Sequence, residues 1–329
     1  MLLAGDIGGT KTILALFPLD SHRGHLSSPT ASKTYPSDAY DSLEAITADF
    51  LEMTGMQPVC ASFGVAGPVI NGRAQITNLN WTIDTAVLQQ TLGIEDIFLL
   101  NDLESIANAV PHLAGDELIT VNKGVRDPIG PIAVIAPGTG LGEAFLIHDG
   151  RRYLAFPSEG GHATFSPMNE LQRELLAYLE TRYHHISFER VCSGSGIPNL
   201  YAFLRDNGRY PEPTWLHNQL AATEDMTPII VNNALASKTD ICVATLDLFV
   251  DILANEASNM GIRLLATGGI YLGGGIPPRI VPQLTDGDFI RRYTLKGRFS
   301  KMVSQMPVHI IKDPLAGLHG AAYFVIHNS

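Results

Sequence analysis

Leu2-Leu3-Ala4-Gly5-Asp6-Ile7-Gly8-Gly9-Thr10-Lys11-Thr12-Ile13-Leu14-Ala15-Leu16-Phe17 sets two apolar runs on either side of a glycine pair. Runs this short, joined by glycines, read as a β-hairpin. The arrangement returns further along. Ile132 to Ala136 reads as a buried strand, Pro137-Gly138-Thr139-Gly140-Leu141-Gly142 as a turn, and Ala144 to His148 as a second strand. Around the two copies the period changes: Leu43, Ile46, Phe50 and Met53 share one helical face, Leu171, Leu175 and Leu179 mark another helix, and Ile241, Leu248 and Ile252 a longer one. Alternating strands and helices predict an α/β fold. Two similar halves facing each other would bring both glycine turns into one cleft.

The remaining pattern fills in around this frame. Val59 to Ala66 reads as a strand closed by Gly67-Pro68, and Ile97 to Leu100 as a strand ending abruptly at Asn101-Asp102 before a helical stretch to Val110. Arg263 to Thr267 and Ile270 to Leu272 read as strands flanking glycines, with Gly273-Gly274-Gly275 behind them. Val308 to Lys312 reads as a strand, and Asp313-Pro314 as the start of a last helix over 314–327, since Asp caps well and Pro suits the first helical position. Stretches 18–39, 110–130 and 207–227 are polar or rich in Pro and Gly and read as exposed connections.

Composition narrows the class. A chain of 329 residues suggests two domains, and 45% hydrophobic with 17% charged residues is ordinary for a globular protein. The 22 Lys and Arg against 33 Asp and Glu leave a net charge of −11, which disfavours general nucleic-acid binding. Cys60, Cys192 and Cys242 lie far apart, with no disulfide framework and no thiolate zinc spacing. No apolar run approaches the ~18 residues that span a bilayer, and Met1 to Asp6 lacks a basic leader region. A reduced cytoplasm is the expected setting, with no membrane partner.

Tight glycine turns present backbone N–H groups to phosphate without a side chain in the way, and both Gly8-Gly9-Thr10 and Gly138-Thr139-Gly140 meet that need. Asp6, at the end of the preceding strand, is a carboxylate able to orient Mg²⁺ or its waters. Plain hairpin turns are the competing reading. Thr10 stands where a Walker A loop needs Gly before Lys11-Thr12, and Gly138-Thr139-Gly140-Leu141-Gly142 has the wrong spacing for a dinucleotide fingerprint. Asn101-Asp102 falls at the carboxyl end of a strand, where α/β sheets bind ligands, so Asp102 is either a base for a hydroxyl attacking phosphate or, with Asn101, a helix cap. Ser158-Glu159-Gly160-Gly161-His162 offers a carboxylate and an imidazole on a turn, a kit for binding vicinal hydroxyls. Glu189 alone is an ordinary charged helical residue, His184-His185 reads as surface, and Ser193-Gly194-Ser195-Gly196 is not a serine-nucleophile elbow.

Together these motifs resemble the bacterial glucokinase family of the hexokinase/actin/Hsp70 ATPase superfamily. To those quoted are added Asn78-Leu79-Asn80-Trp81, Glu189-Arg190-Val191-Cys192-Ser193-Gly194, Gly273-Gly274-Gly275-Ile276-Pro277-Pro278-Arg279 and Gly297-Arg298-Phe299, and the resemblance runs from residue 2 to the last helix. It implies a two-domain actin-like (ribonuclease H-like) fold with a cleft between domains. The expected small domain is 1–112 plus 310–329, and the expected large domain is 113–309. It also implies transfer of the γ-phosphoryl group of ATP, with Mg²⁺, to the 6-hydroxyl of glucose. By position Asp102 matches the family's catalytic base, and Asn101, Glu159, His162 and Glu189 its glucose-binding residues. Gly8, Gly9 and Thr10 match the first phosphate motif, Gly138, Thr139 and Gly140 the second, Gly273, Gly274 and Gly275 the nucleoside-side glycines, and Asp6 the aspartate near Mg²⁺. A homodimer is the family expectation.

Two departures matter. Ala163-Thr164-Phe165-Ser166-Pro167 follows the Glu-x-Gly-His segment without the Cys/His zinc motif of the repressor/kinase branch, so no protein-held metal is expected. Lys11 stands where many members have Asn. The first motif also opens the chain, with no helix-turn-helix ahead of it, so transcriptional repression is not expected. The rival readings are a kinase for another hexose or amino sugar, a non-catalytic sugar sensor, and a sugar-independent ATPase.

Overall fold

The computed structural model describes residues 1–19, 26–76 and 79–328. Asn78, quoted above, lies outside them. The chain divides into two compact units, one of Met1–Glu117, Arg151–Pro157 and the segment from Asp313 onward, the other of Leu118–Gly150 and Ser158–Lys312. This division differs from the expected domain limits at 113–117, 151–157 and 310–312.

Strands in chain order are β1 (Leu2–Ile7), β2 (Lys11–Phe17), β3 (Ala31–Pro36), β4 (Cys60–Val65), β5 (Val69–Ile70), β6 (Arg73–Ile76), β7 (Trp81–Asp84), β8 (Asp96–Asn101), β9 (Leu118–Asn122), β10 (Ile132–Pro137), β11 (Leu141–His148), β12 (Tyr153–Ser158), β13 (Gly269–Leu272) and β14 (Val308–Ile311). In the first unit five of them form a sheet in the order β3-β2-β1-β4-β8, and β5-β6-β7 form a small separate meander. β1 and β2 are the expected antiparallel hairpin, while β1, β4 and β8 are parallel, with Asp6 opposite Gly64 and Gly64 opposite Leu100. Three strands therefore end along one edge, at Ile7, Val65 and Asn101.

The two-residue period of β1 sorts its side chains. Leu3 and Ile7 join Phe50, Phe63 and Val65 in one core, and Leu2 and Ala4 join Leu318, Ala321 and Val325 in another. The second core is covered by helix Ala316–Asn328, and Asp6, next in the even series, falls on that same face. Helix Leu43–Thr54 packs on the first, started by Ser42, whose Oγ accepts the Ala45 N–H, and stopped by left-handed Gly55. Met53, expected on its buried face, is 53% exposed in the last turn.

In the second unit the order is β11-β10-β13-β14-β9, with β10 and β11 antiparallel and β10, β13 and β14 parallel. Pro137, Leu272 and Ile311 end at one edge, so the Gly138 turn and Gly273–Gly275 emerge side by side. Helix Asp240–Leu264, apolar nearly all round, runs through the core.

Several expectations are corrected. Arg263 and Leu264 are the last residues of that long helix rather than a strand, because its apolar period continues through Ile262 to the left-handed Leu265 cap. The connection 18–39 contains β3, and 110–130 contains β9. Both are edge strands with one buried residue or none, and their polarity reads as loop. Stretch 207–227 holds helix Thr214–Ala221. The last helix starts at Ala316, since Asp313 instead caps a turn through the Leu315 N–H.

Candidate active site

The first unit gathers one set of groups on the edge where β1, β4 and β8 end. Helix Asp102–Ala109 follows β8 without a loop, and Asn101 is its cap: the Asn101 Oδ1 accepts from Leu103 N at 3.0 Å and from Glu104 N at 3.4 Å. Its Nδ2 donates to the Gly67 carbonyl at 3.0 Å, which leaves one amide proton for a ligand. The capping role, shared between two candidates in the sequence, thus belongs to Asn101. Asp102 sits one residue on, exposed in the first helical turn, with its Oδ1 accepting the Leu103 N–H at 2.8 Å. That position, at the positive end of the helix, favours a negative charge.

Asp6 is in the same field. Burial first, and the Asp102 charge second, push its carboxyl up to about 6, with Lys11 opposing. Helix Ala316–Asn328 presses on it at Gly317, whose absent Cβ would lie 3.3 Å from the Asp6 carboxyl carbon. Two carboxylates partly offset by one lysine form a site whose charge suits a divalent cation carried by phosphate. The adjoining turn is built to stay open. Gly8 N donates to the Lys11 carbonyl at 3.0 Å, the Ser37 Oγ donates to the Gly8 carbonyl at 2.8 Å, and Ser37 N to the Thr10 carbonyl at 3.0 Å. The Gly8 N–H is therefore used in closing the turn. Among the described residues, nothing accepts from the N–H groups of Gly9 and Thr10.

The second unit gathers the rest. Gly138 N donates to the Gly140 carbonyl at 2.9 Å, so here too the first glycine closes the turn, and no described group accepts from Thr139 or Gly140 N–H. Gly273 N is spent on the Ile135 carbonyl at 2.8 Å, and Gly274 turns the chain with φ 78°. Gly275 lines a cavity of about 470 Å³ with Thr139, Ser195, Thr227, Asn232 and Arg279, next to the phosphate-type turn. Glu189 is in a turn, not on a helix. Its Oε2 accepts the Leu141 N–H at 3.0 Å, bracing the Gly138–Gly140 turn, while its Oε1 lies 4.0 Å from His162 Nδ1. Glu159 Oε2 lies 3.9 Å from His162 Nε2, and the two side chains are 75% and 60% exposed. Glu159, His162 and Glu189 thus converge as the acceptors and donor a polyol needs. His184 and His185 are exposed as expected, and Ser193 is buried, donating its Oγ to the Glu189 carbonyl at 2.7 Å.

With that geometry in view, the glucokinase family model matches residues 3–328. A glucokinase of Nostoc sp. strain PCC 7120 is 40% identical over 336 residues, covering 98% of each chain. The chain belongs to the glucokinase family. Among solved structures, a glucokinase from an Antarctic psychrotroph superposes with a TM-score of 0.87 at 31% identity, covering 100% of this chain and 99% of its own. A ROK family glucokinase from Streptomyces griseus, solved with glucose and AMPPNP, shares the fold at 17% identity and a TM-score of 0.63, with 98% of each chain covered.

For a glucokinase-family chain, two supporting residues escaped the sequence reading. Ser37 buttresses the first turn from within a stretch read as loop, where it begins a three-residue 3₁₀ turn, and no local pattern marks it. Glu143 lies buried under the Gly160-Gly161 turn, at a position read as part of neither the Gly138 turn nor the strand after it. Among the described residues no helix is long and apolar enough to cross a membrane.

The raised Asp6 carboxyl predicts a pH effect. The folded form binds this proton up to about pH 6, whereas an ordinary aspartate releases it near 3.8. Its contribution to stability therefore falls as pH rises between those values and stays unfavourable above. Asp6→Asn should raise ligand-free stability by about 1–2 kcal/mol at pH 7.5, and by little near pH 4, while abolishing turnover with Mg·ATP. Urea titrations of both proteins across that range check it; a gain independent of pH refutes it.

Proposed function

We propose that this protein is a glucokinase, transferring the γ-phosphoryl group of ATP to the 6-hydroxyl of glucose, with Asp102 as general base. The observation that carries the reading is the single sheet edge of the first unit, where Asp102 and Asp6 share one electrostatic field beside the open Gly9-Thr10 donors. A sugar binder needs no such base, and a sugar-independent ATPase does not need Glu159, His162 and Glu189 brought together.

Glucose is held through the free Asn101 amide proton and through Glu159, His162 and Glu189, which select hydroxyl orientation because a misplaced hydroxyl leaves an acceptor unpaired. The Gly9, Thr10, Thr139 and Gly140 N–H groups receive phosphate oxygens, and the 470 Å³ cavity takes the nucleoside. Asp6 would hold Mg²⁺, directly or through water, and the ion would offset phosphate charge there. Asp102 takes the proton of the 6-hydroxyl as the oxygen attacks. The two units are the two domains of an actin-like ATPase with its cleft, and a homodimer in the cytoplasm belongs to the same proposal.

ADP release from Mg·ATP, measured with glucose, mannose, fructose and N-acetylglucosamine and with no sugar, tests this. Glucose-dependent turnover, small with the others, is expected. Equal turnover without sugar would mean an ATPase, preference for another sugar a different hexose kinase, and none with any sugar a sensor.

A further inference from the structure

Glu143 is a charged residue with no part in the mechanism above, yet it is 2% exposed. It follows the Gly138–Gly140 turn by three residues on β11 and points to the same side of the strand as Leu141. Both press on the sugar-facing turn. A methyl group at Gly161 would overlap the Leu141 carbonyl, and one at Gly160 would overlap the Glu143 Oε2. The Glu143 backbone carbonyl also accepts the Ser158 Oγ at 2.9 Å, and that hydroxyl in turn accepts the Gly160 N–H at 3.2 Å. Gly161 then accepts the Glu189 N–H at 2.9 Å, and the Glu159 and Gly160 carbonyls close the turn onto His162 N and Ala163 N.

We propose that Glu143 is a positioning residue for sugar binding: its carboxyl is the floor of the Gly160-Gly161 turn, and it holds Glu159, His162 and Glu189 in place only while it is a neutral acid. This rests on the assignment of those three residues to glucose.

The surroundings give the reason. Among the described residues, Glu143 Oε1 is buried with no hydrogen-bond partner, and no cation reaches the carboxyl. The nearby Glu256 is wholly buried and uses the available donors, accepting from Arg263 Nη1 at 2.8 Å and Asn259 Nδ2 at 2.9 Å. Lys296 spends its ammonium on the Asn255 and Asn259 side chains. The remaining titratable neighbour, the buried Cys192 thiol, is itself pushed well up by burial and by the two glutamates. Burial, then the Glu256 charge, push the Glu143 carboxyl up to about 8, with Arg263 opposing weakly. Once ionised, the group has no donor, so it must reach water, and the lid over it is the glycine turn.

Steady-state kinetics from pH 6.5 to 9.5 on the wild type and Glu143→Gln decide it, with amide hydrogen exchange of residues 158–163 in parallel. The wild-type KM for glucose should rise up to about tenfold per unit above pH 8, with kcat and the KM for ATP flat, and exchange in the turn should accelerate beyond its intrinsic pH dependence. Glu143→Gln, a neutral isostere, should keep the neutral-pH KM within about twofold and remove both alkaline effects. The same alkaline rise in Glu143→Gln, or a flat KM and flat exchange in the wild type, would overturn the proposal. Alkaline exchange abolished by Gln but without any change in glucose KM would uphold the carboxyl under the turn and overturn instead the assignment of the turn to sugar.

Discussion

Asp102→Asn should still bind glucose with near-native affinity while kcat falls about 10²–10⁴-fold, the range for loss of a positioned base. The substitution is a clean one for structural reasons. An Asn side chain still accepts the Leu103 N–H through its Oδ1, and the helix keeps its true cap, Asn101, so the edge where β8 becomes helix stays in place. Only the capacity to take a proton is lost. Relief of repulsion with Asp6 would if anything favour ATP phosphates, so a higher KM for ATP is not expected. Glucose binding by calorimetry beside single-turnover ADP formation separates these effects. A variant with near-native kcat would remove Asp102 from the base role and leave phosphate positioning as the whole of catalysis.

Gly320→Ala should lower the melting temperature by about 5–15 °C, and Gly320→Val should prevent folding at 37 °C. Helices Asp102–Ala109 and Ala316–Asn328 cross so closely at this point that a single added methyl would overlap the Ser105 carbonyl, which is backbone and cannot rotate away. The helices must separate, opening the core of Leu2, Ala4, Leu318 and Ala321. Asp102 begins the displaced helix and Gly317, beside Asp6, lies in the first turn of the other, so activity should fall along with stability. Thermal scans and kcat of the Ala variant check both. An unchanged melting temperature would mean that the two helices do not depend on this contact.

Much of the site was legible in local pattern. The paired glycine turns, the strand ending at Asn101-Asp102 and the Glu159-to-His162 turn each carry their geometry in neighbouring residues, since turns and strand ends are set by local backbone chemistry. Asp6 on the helix-covered face follows from a period of two. What failed to show locally depended on distant partners. Edge strands β3 and β9 bury at most one residue each, so their polarity resembled loop. Arg263 and Leu264 follow the same apolar run whether helix or strand, and only continuation of the long helix decides.

The chain's own order of residues therefore determined the α/β class, the two hairpins with their glycine turns, and Asp102, Glu159 and His162 as candidates, because these rest on periodicity and on contacts a few residues long, whereas Glu189 became a candidate only through the family resemblance. Tertiary structure decided which of Asn101 and Asp102 caps, which glycine N–H groups remain open, that Glu189 braces the Gly138–Gly140 turn, and that Glu143 lies beneath the sugar-facing one. The last two are competitions for a hydrogen bond or a volume between residues far apart in sequence, and the first two are choices among neighbouring groups that only the folded backbone settles, so neither kind has an outcome until the strands are paired and the helices laid on them.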